Sequence, residues 1–518
     1  MIDMVALEQA LSMVFTFETL FWMVVGVTIG VGVGAIPGLS ATSGVALVLP
    51  LSFTMPLAPA LGLIIGLYKG AIYGGAISAI TFATPGTPDS APTVYDGYKM
   101  MKQGKGRKAM LMALYASVTA DVVSDILVII IAPLIAIVAL AFGPSERVWL
   151  MMLAIVLIGS LSGSHFAKGL LSAGIGLFIG TIGSDPISNV ERNTFGVWWL
   201  YGGIGLVPLI IGLFAMAAML EEWAKHIASK SNGKTAPDDS EAIKGMFGKK
   251  QEGLTFREFI SCRKEMGIGI AIGSFVGMLP GLGALVASFL SYSVAKRYSP
   301  EKNIGSGRLE GIAAAEAGNN ATVGPTLIPL LAFGIPGSTT AALIGGALIM
   351  QGATPSARMF QVFPEIIYAL FIILLLANFV NLGIGRMFAF LYARLGQLPR
   401  PILIPTVMLM CVTGTYAYQQ SMYDVIVMLF FGVFGFGMRF FRIPEAPLII
   451  TFVVVPLAEA DLRRALLINR GDWFNALLGT WLAVALFSLV VLLVLVSIKA
   501  RVSERVARLT KGEDEQGK

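Results

Sequence analysis

The residues best placed to do chemistry are small hydroxyls that follow Pro-Gly pairs inside apolar sequence. Pro37-Gly38 leads to Ser40, Thr42 and Ser43, and Pro85-Gly86 leads to Thr87. Pro280-Gly281 leads to the small Gly283, and Pro336-Gly337 to Ser338 and Thr339. Proline cannot donate a backbone N–H and clashes with the turn before it, while glycine frees the backbone, so each pair interrupts a helix. A half-helix that restarts after such a break aims unpaired N–H groups and the positive end of its dipole at the gap. The chemistry expected is recognition of an anion. One pair alone reads as a kink between tightly packed helices; four pairs at equivalent places in two copies read as a substrate site.

Other polar groups sit in apolar surroundings. Asn319 and Asn320 follow Glu316 ahead of the last break. Their amide oxygens suit a sodium ion, so a sodium site is a candidate there, with hydrogen bonding between helices as the competing reading. Lys69 and Asp89 are candidates for charge tuning. They can neutralise one another, or Lys69 can help hold an anion; snorkelling to an interface is the rival. Asp121 and Asp125 stand one helical turn apart, which suits either cation coupling or a water-exposed helix start.

These residues need a membrane fold to position them. Of 518 residues, 56% are hydrophobic and 13% charged, against about 25% charged in soluble domains. Mean hydropathy is +0.79. Residues 122–142, 202–220, 366–380 and 477–498 form nearly charge-free blocks, several of them near the ~20 residues a spanning helix needs. A soluble fold of this length would still require a wetted surface. Cys262 and Cys411 have no metal-ligand spacing, and the opening Met-Ile-Asp-Met has no basic region, so neither a disulfide framework nor a cleavable signal peptide is expected.

Charge sets the topology. No Lys or Arg precedes Lys69, so the N-terminus is expected to face out. Residues 221–265 carry nine Lys/Arg and eight Asp/Glu and read as a cytoplasmic linker. The expected organisation is a membrane repeat over 1–220, the linker over 221–265, a second membrane repeat over 266–498 and a cytoplasmic tail over 499–518. An all-α polytopic protein with about eleven crossings (roughly 10–12) plus broken or re-entrant hairpins follows. The net charge of +6 is topology information and does not imply nucleic acid.

The two membrane segments are related. VGAIPGLS at 33–40 returns as VGMLPGLG at 276–283, and FATPGTPDSA at 82–91 returns as FGIPGSTTAA at 333–342. Gln103-Gly104 and Gln351-Gly352 follow in the same order. The first copy is entered from a cation-free segment and ends in the five-cation stretch at 99–108; the second is entered from the nine-cation linker and ends near Arg358. Opposite charge asymmetry predicts two inverted repeats, as in many secondary transporters with a midplane site.

Taken together, VGAIPGLSATSG, GLYKGAIYGGAISAITFATPGTP, YDGYKMMKQGKGRKA, GSFVGMLPGLGA, EGIAAAEAGNNATVGPTLIPLLAFGIPGS, GALIMQG and TFGVWWLYGGIGLVPLIIGLFA resemble the large membrane subunit of tripartite tricarboxylate transporters. The resemblance covers nearly the whole chain and is clearest from about residue 26 to 360. It implies an inner-membrane permease for citrate-like carboxylates, working with a small four-helix membrane subunit and a periplasmic solute-binding protein. It also implies import driven by an ion gradient, with co-transported Na+ or H+ and no bound cofactor, in agreement with the lack of a GxxxxGK[ST] phosphate loop. Lys69, Asp89, Asp121 and Asp125 depart from the family's usual pattern, so citrate itself is not assumed.

Two rivals differ in class. A stand-alone ion-coupled carrier would need no binding protein. An intramembrane serine protease would use Ser40 in Gly38-Leu39-Ser40-Ala41, but only His165 and His226 exist as bases, and the repeat would go unexplained.

Overall fold

The computed structural model describes residues 3–36, 39–160, 166–185, 190–231, 252–281, 283–395 and 400–510. Pro37, Gly38, His165, residues 232–251 of the 221–265 linker and the last residues of the tail lie outside the described residues. The first part of the chain forms α1 (Met4–Val14), α2 (Phe17–Gly34), α3 (Ala41–Ser52), α4 (Leu57–Phe82), α5 (Thr93–Lys102), α6 (Gly106–Leu140), α7 (Pro144–Ser160) and α8 (Phe166–Gly180). A two-stranded antiparallel ribbon, β1 (Gly183–Ser184) with β2 (Glu191–Arg192), precedes α9 (Leu206–Ile210), a π-helical segment (Ile211–Met216) and α10 (Ala217–Ser231). Then come α11 (Phe256–Ser261), α12 (Arg263–Gly277), α13 (Gly283–Tyr298), α14 (Leu309–Asn320), α15 (Leu327–Phe333), α16 (Thr339–Met350), α17 (Met359–Val362) and α18 (Pro364–Leu395). The chain closes with α19 (Arg400–Gln419), α20 (Met422–Phe440), α21 (Ala446–Ile468), α22 (Trp473–Leu478) and α23 (Trp481–Thr510).

Six helices among the described residues are long and apolar enough to cross a membrane, and several shorter apolar ones accompany them. This is an all-α polytopic membrane protein. The shorter ones include α3 and α16, each 12 residues long. At ~1.5 Å per residue each reaches about 18 Å, short of the ~30 Å hydrocarbon layer. They are half-helices, which a count of apolar blocks does not separate from full crossings.

The two copies fold alike around their breaks. In the first, α2 leads to the Pro37-Gly38 break and α3, and α4 leads to the Pro85-Gly86 break and α5. In the second, α12 leads to the Pro280-Gly281 break and α13, and α14–α15 lead to the Pro336-Gly337 break and α16. Both α4 and α15 end two residues before the proline in a left-handed residue, Ala83 (φ 56°) and Gly334 (φ 72°).

Glycine ladders hold each copy together. A methyl on Gly26, Gly30 or Gly34 of α2 would lie 2.3, 2.3 or 2.0 Å from the carbonyl oxygens of Leu63, Leu67 and Ala71 on α4. The second copy repeats this arrangement. A methyl on Gly269, Gly273 or Gly277 of α12 would lie 2.7, 2.5 or 2.8 Å from the carbonyl oxygens of Ala314, Gly318 and Thr322, at or just beyond α14. Small residues let helix backbones touch where apolar burial gives no drive inside lipid.

Contacts divide the chain into two compact units that do not follow the linear halves. The first comprises 1–139 and 204–441, the second 140–203 and 442–518. Each half of the sequence therefore supplies a piece of each unit. Within the second unit, Arg192 binds Glu459 through two bonds of 2.5 and 3.1 Å, Arg463 pairs with Asp185, and Arg147 lies 3.3 Å from Asp461.

Candidate functional site

The first unit contains the breaks, and a chain of contacts links all four. Ser40 caps α3, its Oγ accepting from Ser43 N at 3.0 Å, and Ser338 caps α16 by accepting from Ala341 N at 3.1 Å. The first turns of these half-helices, one from each copy, meet: Thr42 Oγ1 is 3.2 Å from Thr339 Oγ1 and 2.9 Å from Thr340 Oγ1. Gly281 N donates to Gly337 O at 2.9 Å, joining the third break to the fourth. Gly86 is pressed against Gly34 O, 1.9 Å from where its Cβ would stand, which ties the second break to the end of α2. The short turn Pro88–Ser90 that follows packs on α13 and closes the ring.

Backbone demands explain the glycines here. Gly281 and Gly283 take φ of 85° and 66°, the left-handed region that side chains avoid. Gly337 has no room for a Cβ, which would lie 2.5 Å from Thr326 O.

Ser40, Thr42, Pro85, Pro280, Gly281, Gly283, Ser338 and Thr339 are half-buried, while Ser43, Gly86, Thr87, Pro336 and Gly337 are buried. The Thr87 hydroxyl lies 3.2 Å from Ser90 Oγ, both against Gly75 of α4. Ser43 Oγ donates to Phe214 O in the π-helical segment at 3.4 Å. The half-exposed hydroxyls thus sit at the breaks, and the buried ones brace them. Tyr68 of α4 reaches the same place, facing the Ser338 and Thr326 hydroxyls and the Asp89 carboxylate.

Asn320 is braced too. Its Nδ2 donates to Ser117 Oγ at 2.7 Å and to Glu316 O at 2.9 Å. Glu316, fully buried, accepts from Thr93 Oγ1 and lies 3.5 Å from Ser117 Oγ. Both amide atoms of Asn319 and the Oδ1 of Asn320 are buried without a hydrogen-bond partner. Those oxygens are available as cation ligands. Two open depressions, at Phe256–Arg263 and at Ala167–Phe178, hold none of these residues.

The structure corrects the expectation for Lys69. It does not neutralise Asp89 or snorkel to an interface. It is fully buried, donates to Asp125 at 2.8 Å and to Asn378 Oδ1 at 3.0 Å, and forms an ion pair with Asp121 at 3.2 Å. Asp121 and Asp125 are likewise fully buried, which removes the water-exposed reading. Their partner lies 56 residues from Asp125 in sequence, a separation that one-dimensional spacing does not bridge. Tyr68, Thr326 and Asn378 were not among the expected residues. Asn378 and Asn381 inside the apolar α18 were the visible signal for one of them.

Away from the breaks, the partly exposed Glu258 of α11 closes a capping box with Thr255 and takes Lys108 Nζ at 2.7 Å. The Lys108 bond first, then the Thr255 N–H, hold its carboxyl down at about 2.

Broken half-helices paired across two copies, on an all-α multi-pass scaffold, define the membrane-transporter class. Residues 20–450 match the Tripartite tricarboxylate transporter TctA family. The chain belongs to that family. It is 33% identical over 508 residues to a protein of Agrobacterium vitis described as "Uncharacterized 52.8 kDa protein in TAR-I ttuC' 3'region", covering 97% of this chain and 98% of that one. A second Agrobacterium vitis protein, "Uncharacterized protein in TAR-II ttuC' 3'region", is 35% identical over 201 residues, 39% of this chain and 83% of its own length. No solved structure matches.

Proposed function

We propose that this chain is the substrate-carrying permease of a bacterial inner-membrane importer for tricarboxylates or related organic carboxylates. The observation that carries this reading is the meeting of the α3 and α16 first turns at Thr42, Thr339 and Thr340. Two helix N-termini facing one gap supply N–H donors and positive dipole ends, which suit a multiply charged carboxylate. Half-exposed Ser40 and Ser338 add hydroxyl donors there. The pairing of one half-helix from each copy fits a single shared site between inverted repeats, with the N-terminus periplasmic and the C-terminus cytoplasmic.

A periplasmic binding protein delivers the anion to the outer face, and a small four-helix subunit completes the complex. An ion gradient drives import by alternating access, one bundle moving against a scaffold in an elevator-like stroke. The free oxygens of Asn319 and Asn320 suit a co-transported Na+ held near the breaks. No catalytic role follows from Ser40, whose hydroxyl is engaged with Ser43 as a helix cap.

The test is uptake of labelled citrate by cells carrying the three subunits together and each pair of them. Uptake that needs all three supports the reading. Equal transport by the purified large subunit alone in liposomes would establish the stand-alone carrier instead.

A further inference from the structure

The Lys69 cluster plays no part in binding the anion as described above, yet it is the most concentrated group of buried charge in the first unit. Lys69 on α4, Asp121 and Asp125 on α6, and Asn378 on α18 are all fully buried. One ammonium faces two carboxylates, so with all three ionised the cluster carries one uncompensated negative charge. An isolated charge in an apolar interior is neutralised rather than tolerated.

The cation position is already occupied. Lys69 Nζ stands 2.8, 3.2 and 3.0 Å from oxygens of Asp125, Asp121 and Asn378, the place a metal ion would take. What remains to be neutralised is one negative charge among fully buried groups that already surround the Lys69 ammonium, and a proton meets that need. The two carboxylates are unequal. Asp125 Oδ2 receives both Lys69 Nζ and, at 2.7 Å, Asn378 Nδ2. Neither Asp121 oxygen has a hydrogen-bond partner, its contact with Lys69 being an ion pair only. Asp121 therefore gains most from protonation.

Other titratable groups nearby are few. From α4, Lys69 and Tyr68 face Asp121. From α18 comes the neutral Asn378. Beyond the end of α14, Gly324 abuts Asp125 Oδ1, and Glu316 reaches α6 at Ser117, one turn before Asp121. Lys69 lies on α4, which packs against α16 just after the fourth break and carries Lys69 to Asp121.

We propose that Lys69, Asp121 and Asp125 form a proton-binding site, with Asp121 the carboxyl that carries the proton and α4 the element that links it to the anion site. The link to transport rests on the permease reading; the proton site itself does not.

Two measurements separate these. Infrared difference spectra of the full chain in lipid should show a protonated buried carboxyl that disappears in Asp121→Asn and persists in Glu316→Gln. Lys69→Met should gain a second one, because two carboxylates then lack their cation. Carboxyl bands unchanged in Asp121→Asn, or no added band in Lys69→Met, would overturn the site. For coupling, citrate accumulation is followed in proteoliposomes or cells carrying the whole complex, with membrane potential clamped. Each unit of inward pH gradient should raise wild-type accumulation up to about tenfold per coupled proton, and Asp121→Asn should show no such rise. An equal rise in Asp121→Asn overturns the coupling role. If the wild type accumulates none of a panel of labelled di- and tricarboxylates, the permease reading fails, and the infrared result still decides the proton site.

Discussion

Thr42 Oγ1 lies 2.9 Å from Thr340 Oγ1, although 298 residues separate them in the chain. The contact joins the first turn of α3 to the first turn of α16, so a ligand bound there touches both copies at once.

Thr42→Val keeps the shape of that junction and removes its hydroxyl. One lost hydrogen bond is worth roughly 1 kcal/mol. Apparent affinity for the transported anion should fall about fivefold, measured as KM for uptake, with protein abundance in the membrane unchanged. The same result is expected for Thr340→Val. Wild-type KM in both variants would remove the shared site.

Ser40 and Ser338 each serve as a helix cap and as a candidate ligand. Alanine at a cap costs about 1 kcal/mol of stability, whereas glycine costs only a few tenths. Ser40→Gly and Ser338→Gly should therefore keep near-wild-type melting temperatures while raising KM, and the alanine variants should lower both stability and affinity. Thr87→Val, at a buried hydroxyl that is not a cap, should raise KM through the loss of its contact with Ser90. Stability loss without any KM change would make these residues structural alone.

The glycine ladder gives a paired test of packing. A Cβ on Gly34 would lie 2.0 Å from Ala71 O, a clash with backbone that no rotamer relieves. Gly34→Ala should destabilise by about 2 kcal/mol or abolish folding. Gly32→Ala, two residues earlier with nothing within 4 Å, should be neutral or slightly stabilising. Thermal unfolding of the detergent-purified protein reads both, and equal behaviour would contradict the seam.

Glu258 predicts a pH effect away from the breaks. Its carboxyl is held near 2 by Lys108 and Thr255, below the ordinary glutamate value of 4.5. A depressed acid stabilises the fold above its unfolded value and loses that contribution as pH falls from about 4.5 toward 2. The side chain is 35% exposed, so solvent screening limits the effect to about 1 kcal/mol or less. Protease protection of α11 should weaken between pH 5 and pH 3 in the wild type. Glu258→Gln should be weaker at pH 5 and flat across that range.

What the sequence discloses depends on range. Proline and glycine act locally, so the four breaks and the restart of α3, α13 and α16 could be read directly. The pairing of α3 with α16, rather than with its counterpart α13, is tertiary and leaves no one-dimensional trace. Lys69 and Asp89 looked like a pair because both are isolated charges in apolar sequence, but the partners of Lys69 lie on α6 and α18. The ladders were legible in principle: Gly26, Gly30 and Gly34 recur as Gly269, Gly273 and Gly277, each set ending three residues before a Pro-Gly pair. Their spacing of four is one helix face, which composition alone conceals.

The division into two units has a consequence for synthesis. The second unit begins at residue 140 and breaks off at 203, and its remainder starts only at 442. A ribosome feeding this chain into a membrane delivers Arg192 long before Glu459, its partner in the finished protein. Until α21 is made, α7 and α8 lack the helix they pack against in the finished protein, and Asp185, 3.4 Å from Arg192, is the ion-pair partner already on hand.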